Sequence, residues 1–195
     1  MLQDKELKAL KESLSTPKKI TIVSHRNPDG DAIGSSLGLL HFLNKLNHKV
    51  HFISPNEYPD FLAWMPDVDK TIIFEKDTEF ATTILKESDF ISVHVPAQKN
   101  YIFSKKEFSL MKDGAAIVNA ARGGVIDEVA LIEALQSNKL SFAAIDTFEN
   151  EPSPAIQILM DGKLSLTPHI GAATNEAQDR IGTELSEQIK SILKP

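Results

Sequence analysis

The feature that most constrains this chain is a regular alternation between short apolar runs and stretches of helical period. The apolar runs are rich in Val, Ile and Phe, which is typical of strands buried on both faces of a sheet. Strict alternation of such strands with helices predicts a parallel sheet, and right-handed crossovers favour a doubly wound, Rossmann-like α/β fold. The predicted strands are 19–24, 50–54, 71–74, 89–95, 115–120, 142–148 and 164–168.

The segments between the strands carry the predicted helices, and a leading amphipathic helix over 3–15 precedes the first strand. The sequence shows no internal repeat, low-complexity stretch or linker, so we predict one domain over 1–195. Ligands of such sheets bind outside the carboxyl ends of the strands, where the strand order reverses. We therefore expect a crevice between the loops 25–31 and 94–98. The other predicted helices cover 32–47, 57–65, 78–87, 104–111, 127–138, 153–160 and 174–193.

Charge and composition exclude several classes of function. The 21 Lys and Arg residues against 27 Asp and Glu give a net charge of −6, which argues against binding to nucleic acid or to an anionic membrane. The absence of cysteine excludes disulfides, thiolate metal sites and a cysteine nucleophile. No apolar run approaches the roughly 18 residues of a membrane helix, and the charged start is unlike a secretory signal. We expect a cytoplasmic protein.

The loop after the first strand reads HRNPDGDAIGSS over 25–36. It resembles the first motif of the DHH-family phosphoesterases, and the resemblance covers about 1–80. It implies that His25, Asp29 and Asp31 bind Mn²⁺, for which one imidazole and two carboxylates are suitable ligands. The site would be incomplete, because the chain has no Asp-His-His motif. The alternative interpretation is a helix-capping turn with Asp31 as the N-cap.

From about residue 85 the chain resembles another family, the D-2-hydroxyacid dehydrogenases, in the phosphoglycerate dehydrogenase branch. The similarity covers 85–195 and rests on SDFISVHVPA, NAARGGVIDEVALIEAL, AAIDTFENEP and LTPHIGAATNEAQDRIG. It implies that Arg122 binds the substrate carboxylate, that His169 is the acid/base and that Glu151 bonds to His169. The same resemblance places five residues beside NAD(H): His94, Pro96, Ala120, Asp146 at the nicotinamide carboxamide, and Gly171. Without it, Arg122, Glu151 and His169 would be interpreted as surface charges.

Two features depart from the dehydrogenase pattern. The first strand is not followed by G-x-G-x-x-G, the turn that lets a cofactor pyrophosphate approach the amides of a helix N-terminus. Asp29 and Asp31 stand there instead, where two like charges oppose a pyrophosphate. The second strand ends in Ser54 and Pro55, and the acidic residue expected for the adenosine ribose follows only at Glu57.

These departures lead to the hypothesis that the chain is a chimera with a seam near 78–88, more plausibly engineered than natural. Both parent folds use parallel sheets, so their strands can lie side by side. Each half lacks residues that its chemistry requires. The sequence therefore predicts a folded scaffold without efficient catalysis, needing no cofactor.

Two other functions stay open at this point. One is NAD(H) binding or a dehydrogenase-type oxidoreductase activity through Arg122, Glu151 and His169. The other is a weak Mn²⁺-dependent phosphoesterase activity through the loop 25–31. The predicted last helix carries an apolar stripe that we expect to pack on the sheet, and this stripe also allows a homodimer. It consists of Ile181, Leu185, Ile189 and Ile192.

Overall fold

A computed structural model describes residue 8 and residues 11–96, 99–170 and 174–192. In this part of the chain seven strands form one sheet in the order β3-β2-β1-β4-β5-β6-β7, and every neighbouring pair is parallel. The predicted Rossmann-like α/β fold is therefore confirmed. The strands are β1 (Lys19–Ser24), β2 (Lys49–Ser54), β3 (Ile72–Ile73), β4 (Phe90–His94), β5 (Ala115–Asn119), β6 (Leu140–Ile145) and β7 (Leu164–Leu166).

Helices connect the strands, and several begin at the capping residues that their sequences favour. Asp77 and Asp127 each accept a hydrogen bond from a backbone amide of the first helical turn. Ser104 and Glu107 form a capping box at the start of a short helix. The described helices are α1 (Gly30–Lys45), α2 (Thr78–Glu87), α3 (Lys105–Leu110), α4 (Glu128–Gln136), α5 (Ile156–Met160) and α6 (Asn175–Ile192).

The segments on the two sides of residues 78–88 share one sheet. Strand β1 pairs with β2 on one edge and with β4 on the other, so that Ile22 lies between Phe52 and Ser92. Successive side chains of a strand point to opposite faces, and the core is divided accordingly. Ile22 packs with α1 on one face, while Val23 packs with the larger cluster around β4, β5 and β6 on the other.

Three sequence predictions of local structure are wrong: the helix over 57–65, the length of the strand over 71–74 and the packing of the last helix. The helix expected over 57–65 is a single 3₁₀ turn, Asp60–Leu62, because Pro59 has no amide hydrogen to continue a helix and stands just before the turn. The strand expected over 71–74 is only Ile72–Ile73, at the edge of the sheet. The leading helix lies mostly outside the described residues, although residues 8 and 11–13 are helical.

The third correction concerns α6, which was expected to pack its apolar stripe on the sheet. No residue of α6 is buried, and the side chains of Ile181 and Leu185 are 54% and 55% exposed. The shorter α5 takes the place against β7 and α4 instead. In the described ranges no helix is long and apolar enough to cross a membrane.

Candidate active site at the carboxyl ends of the strands

The strand order reverses between β1 and β4, because the chain leaves β1 toward β2 and leaves β4 toward β5. An open cleft of about 310 Å³ lies at this point, where parallel sheets bind ligands. It brings together residues that the two resemblances predicted separately. Its lining consists of His25, His94, Val95, Pro96, Ala121 and Arg122.

Asp29 determines how helix α1 begins beside this cleft. Its Oδ1 accepts a hydrogen bond of 2.9 Å from the amide of Ala32, so Asp29 is the N-cap. The alternative that made Asp31 the cap is wrong, because Asp31 lies exposed in the first turn. The Asp29 carboxylate therefore occupies an amide that a helix N-terminus could otherwise offer to a phosphate.

His25 and the two aspartates do not form a metal cage. The Nδ1 atom of His25 lies 2.9 Å from the backbone oxygen of Arg26, and its Nε2 atom lies 3.9 Å from Oδ1 of Asp29. The described ranges contain no group of three His, Cys, Asp or Glu side chains able to hold a metal ion. The predicted Mn²⁺ binding by His25, Asp29 and Asp31 is therefore unsupported, since Asp29 is engaged by the helix and Asp31 faces solvent.

The loop after β2 is fastened to the loop after β1. The side chain of Asn56 accepts a 2.7 Å hydrogen bond from the amide of Asn27 and donates another of 2.9 Å to its side-chain oxygen. Ser54 is fully buried and donates to the backbone oxygen of Asn56 at 2.7 Å. Glu57, the nearest acidic residue for a ribose, forms an ion pair with Lys76.

His94 ends β4 at the floor of the cleft. It shares a hydrogen bond of 2.8 Å between Nε2 and the hydroxyl of Ser92, and burial lowers the pKa of its imidazole. Burial thus favours the neutral form of His94, while Arg122 brings a guanidinium group to this cleft. Pro96 lies exposed beside it.

Arg122 is held at the cleft by the turn after β5. The buried side chain of Asn119 accepts a 3.1 Å hydrogen bond from the amide of Ala121 and donates another of 3.1 Å to the backbone oxygen of Arg122. The guanidinium of Arg122 donates to the oxygen of Ala121 at 2.6 Å, and Ala120 is exposed. Asn119 is not among the site residues predicted from the sequence, although a polar residue at the end of an apolar strand is a usable signal.

Glu151 and His169 form the closest functional pair of the site. The Nδ1 atom of His169 donates to Oε2 of Glu151 at 2.8 Å, and the amide of Phe148 donates to Oε1 at 2.9 Å. The hydrogen bond from His169, and then the one from Phe148, lower the pKa of the Glu151 carboxyl. The pair lines a second cleft of about 380 Å³, separate from the cleft that Arg122 lines.

Asp146 fastens the segment that carries His169. Its buried carboxylate accepts hydrogen bonds from the Thr167 hydroxyl and from the amide of Ile170, which lies 3.0 Å away. In this structure Asp146 thus positions the residues on both sides of His169. Its predicted contact with the nicotinamide carboxamide stays a prediction, and Gly171 lies outside the described residues.

The chain is similar to dehydrogenases and reductases. Residues 39–171 match the family model "D-isomer specific 2-hydroxyacid dehydrogenase, NAD binding domain". A D-3-phosphoglycerate dehydrogenase of Methanocaldococcus jannaschii is 40% identical over 140 residues, covering 69% of this chain and 27% of that protein. A hydroxypyruvate reductase of Thermotoga maritima is 50% identical over 113 residues, covering 55% and 37%. The chain thus spans between about a quarter and two fifths of the length of these relatives.

A solved structure has the same fold. The D-lactate dehydrogenase of Lactobacillus jensenii with NAD⁺ superposes with a TM-score of 0.66 at 26% identity, covering 88% of this chain and 52% of that one. At 88% of the chain, this match is longer than the 85–195 resemblance.

These matches overturn the prediction of an engineered scaffold without efficient catalysis. One dehydrogenase family model spans 39–171 and therefore includes the proposed seam at 78–88. The expectation that no cofactor is needed is also unsupported, because the matched family is an NAD-binding domain. The phosphoesterase resemblance of 1–80 gains no support from these matches or from the geometry of His25, Asp29 and Asp31.

Proposed function

Since the chain belongs to the D-isomer-specific 2-hydroxyacid dehydrogenase family through its NAD-binding domain, we propose that it forms the cofactor-binding part of an NAD(H)-dependent oxidoreductase. The substrates are short 2-hydroxy acids and the corresponding 2-keto acids. The named relatives, a phosphoglycerate dehydrogenase and a hydroxypyruvate reductase, support this class of substrate. The cytoplasmic location and the homodimer remain predictions.

The observation that carries the proposal is the hydrogen bond between Glu151 and His169. An imidazole that donates its Nδ1 proton to a carboxylate keeps its ring orientation, and its Nε2 atom is the one left to exchange a proton with a substrate. This is the arrangement that protonation of a ketone oxygen requires.

Arg122 supplies the charge that a carboxylate substrate needs. Its guanidinium has hydrogen-bond donors in a fixed planar array that suits a carboxylate. It lies at the sheet's switch point, beside His94. We propose that Arg122 binds and orients the acid while His169 exchanges the proton.

The residues present fit the two ends of a nicotinamide dinucleotide unequally. The strand ends of β5 to β7 bring Arg122, Asp146 and His169 to the edge of the sheet where a nicotinamide would lie, and the bound cofactor would supply or accept a hydride there. The loop 25–31 does not fit the pyrophosphate in the manner of a glycine-rich turn. The Asp29 carboxylate occupies the first-turn amide of Ala32 and adds a like charge.

The test is consumption of NADH by the purified chain with a panel of short 2-keto acids that includes hydroxypyruvate and pyruvate. We expect turnover that falls by about a hundredfold or more in His169→Gln, because the acid/base is lost. Asp113→Asn is the matched control, since the Asp113 carboxylate is exposed and pairs only with Lys139 among the described contacts. Turnover that is equal in wild type and His169→Gln would contradict the proposal.

A further inference from the structure

Two glutamates outside the proposed catalytic set join helix α4 to the turn that carries Glu151. The amide of Glu128 donates to Oε1 of Glu149 at 2.9 Å, and the amide of Glu149 donates to Oε1 of Glu128 at 2.8 Å. The two residues are 21 positions apart, so this reciprocal pair is a long-range contact. We call it the Glu128–Glu149 clamp.

Holding a turn with two neighbouring carboxylates costs free energy. Glu128 is only 8% exposed, and burial raises the pKa of its carboxyl, although the hydrogen bond from the Glu149 amide opposes this rise. The first amides of a helix have no partner within the helix. Asp127 accepts a hydrogen bond from the amide of Ala130, and Glu149 accepts one from the amide of Glu128. Carboxylates are also favoured at a helix N-terminus by its dipole.

The clamped turn lies directly against the segment that carries Arg122. A Cβ added to Gly123 would lie 1.9 Å from the backbone oxygen of Phe148, so these two stretches of backbone touch. The amide of Phe148 in turn donates to Glu151 at 2.9 Å. The position of Glu149 therefore fixes Phe148, Phe148 fixes one oxygen of Glu151, and the other oxygen meets His169.

A third residue attaches the loop after β4 to the clamp. The hydroxyl of Tyr101 donates to Oε2 of Glu149 at 3.1 Å. The neighbouring backbone of Phe103 is bonded to Val125 and Asp127 at the entry to α4, which keeps Tyr101 at this place. Both oxygens of Glu149 are thus engaged from elements that flank the strand ends.

From these contacts we infer that Glu149, held by Glu128 and Tyr101, is a positioning residue that aligns Glu151 with His169. This inference rests on the proposed function for its significance, although the alignment itself exists in the resting protein. Glu149 acts through Glu151 and makes no described contact with His169.

The experiment compares Glu149→Ala with Glu149→Gln in the full chain without cofactor. The readouts are the ¹⁵N signals of the His169 ring, which report whether the proton resides on Nδ1, and the amide shift of Phe148. Glu149→Ala is expected to shift both toward the values of Glu151→Gln, a variant that alters the bond to His169 directly. Glu149→Gln keeps an acceptor oxygen and is expected to retain both signals.

Asp127→Ala is the matched structural control, because it removes a cap of α4 and leaves the 148–151 turn untouched. Unchanged His169 and Phe148 signals in a folded Glu149→Ala protein would overturn the inference. Equal shifts in Asp127→Ala would overturn it too, since they would show that Glu149 acts only by capping α4. If Glu149→Ala does not fold, Tyr101→Phe removes one support and must move the same signals in the same direction.

Turnover separates this inference from the proposed function. In an active chain Glu149→Ala is expected to lower kcat by about tenfold and to leave the KM for NADH unchanged, because a misaligned acid/base slows chemistry without altering cofactor contacts. A wild-type chain that shows the His169–Glu151 signature and consumes no NADH would contradict the proposed function and leave the positioning role standing.

Discussion

Glu151 lies between two hydrogen-bond donors, and this arrangement gives a single side chain a measurable pH signature. His169 and the amide of Phe148 each bond to one of its oxygens and lower the pKa of its carboxyl. A carboxyl whose pKa is lower in the folded state stabilises the fold above its unfolded pKa, and this stabilisation is lost as the pH falls through the folded value.

We therefore predict that wild type is more stable than Glu151→Gln at neutral pH and that the difference shrinks on acidification. The difference should be constant above about pH 5 and should decline below the ordinary glutamate range near pH 4.3. Melting temperatures of both proteins between pH 3 and pH 7 measure this. A difference that grows as the pH falls would contradict the assignment.

Asp29 is the residue at which this chain departs most from a glycine-rich cofactor turn. Asn caps a helix about as well as Asp, so Asp29→Asn keeps α1 intact and removes the charge beside the expected pyrophosphate. We predict tighter NADH binding by roughly 1 kcal/mol, or about fivefold in Kd, measured by calorimetric titration.

Asp77→Asn is the control for this change, because Asp77 caps α2 beside the edge strand β3 in the same way, through the amide of Phe80 at 3.0 Å. We expect no change in NADH affinity there. An Asp29→Asn protein that binds NADH no better than Asp77→Asn would show that the Asp29 charge does not lie near the cofactor phosphates.

At the scale of the elements, the turn that carries Arg122 approaches the turn that carries Glu151 closely at Gly123. Gly123→Ala places a Cβ 1.9 Å from the Phe148 oxygen, so one of the two turns must move. We predict a loss of roughly 1–3 kcal/mol in the free energy of unfolding, measured with denaturant. Gly38→Ala, in the open middle of α1, should instead stabilise by about 0.5–1 kcal/mol.

Helix α6 supplies a second test at this scale. Because the Leu185 side chain is 55% exposed, Leu185→Ser should change the free energy of unfolding by less than about 0.5 kcal/mol. Leu131→Ala, in the fully buried face of α4, should cost about 2–5 kcal/mol. Similar costs for the two substitutions in denaturant titrations would mean that α6 is packed in solution.

For the whole molecule, sequence patterns predicted the positions of the strands better than the packing of helix α6. Buried parallel strands are apolar throughout, so β1 and β5 could be placed within a residue or so, whereas the amphipathic stripe of α6 predicted packing that the fold does not provide. A local sequence pattern shows that one face of a helix is apolar, but it does not show which other element packs against that face.

The same limit explains which site residues were found. Glu151 and His169 came from a motif resemblance that also implied their hydrogen bond, and the fold supplies its geometry, 2.8 Å between Nδ1 and Oε2. The Glu128–Glu149 clamp joins positions whose partnership no local spacing reveals. Asp29 became the cap instead of Asp31 because the backbone enters the helix two residues earlier than the motif suggested.

The most direct test of the central claim is a titration of the ¹⁵N-labelled chain with NADH, followed by amide chemical shifts. The account predicts saturable one-to-one binding, with the largest shifts at residues 25–29, 94–96, 119–122 and 146–169, along the carboxyl edge of the sheet. Absence of saturable shifts at millimolar NADH, or shifts confined to the opposite edge of the sheet, would contradict it.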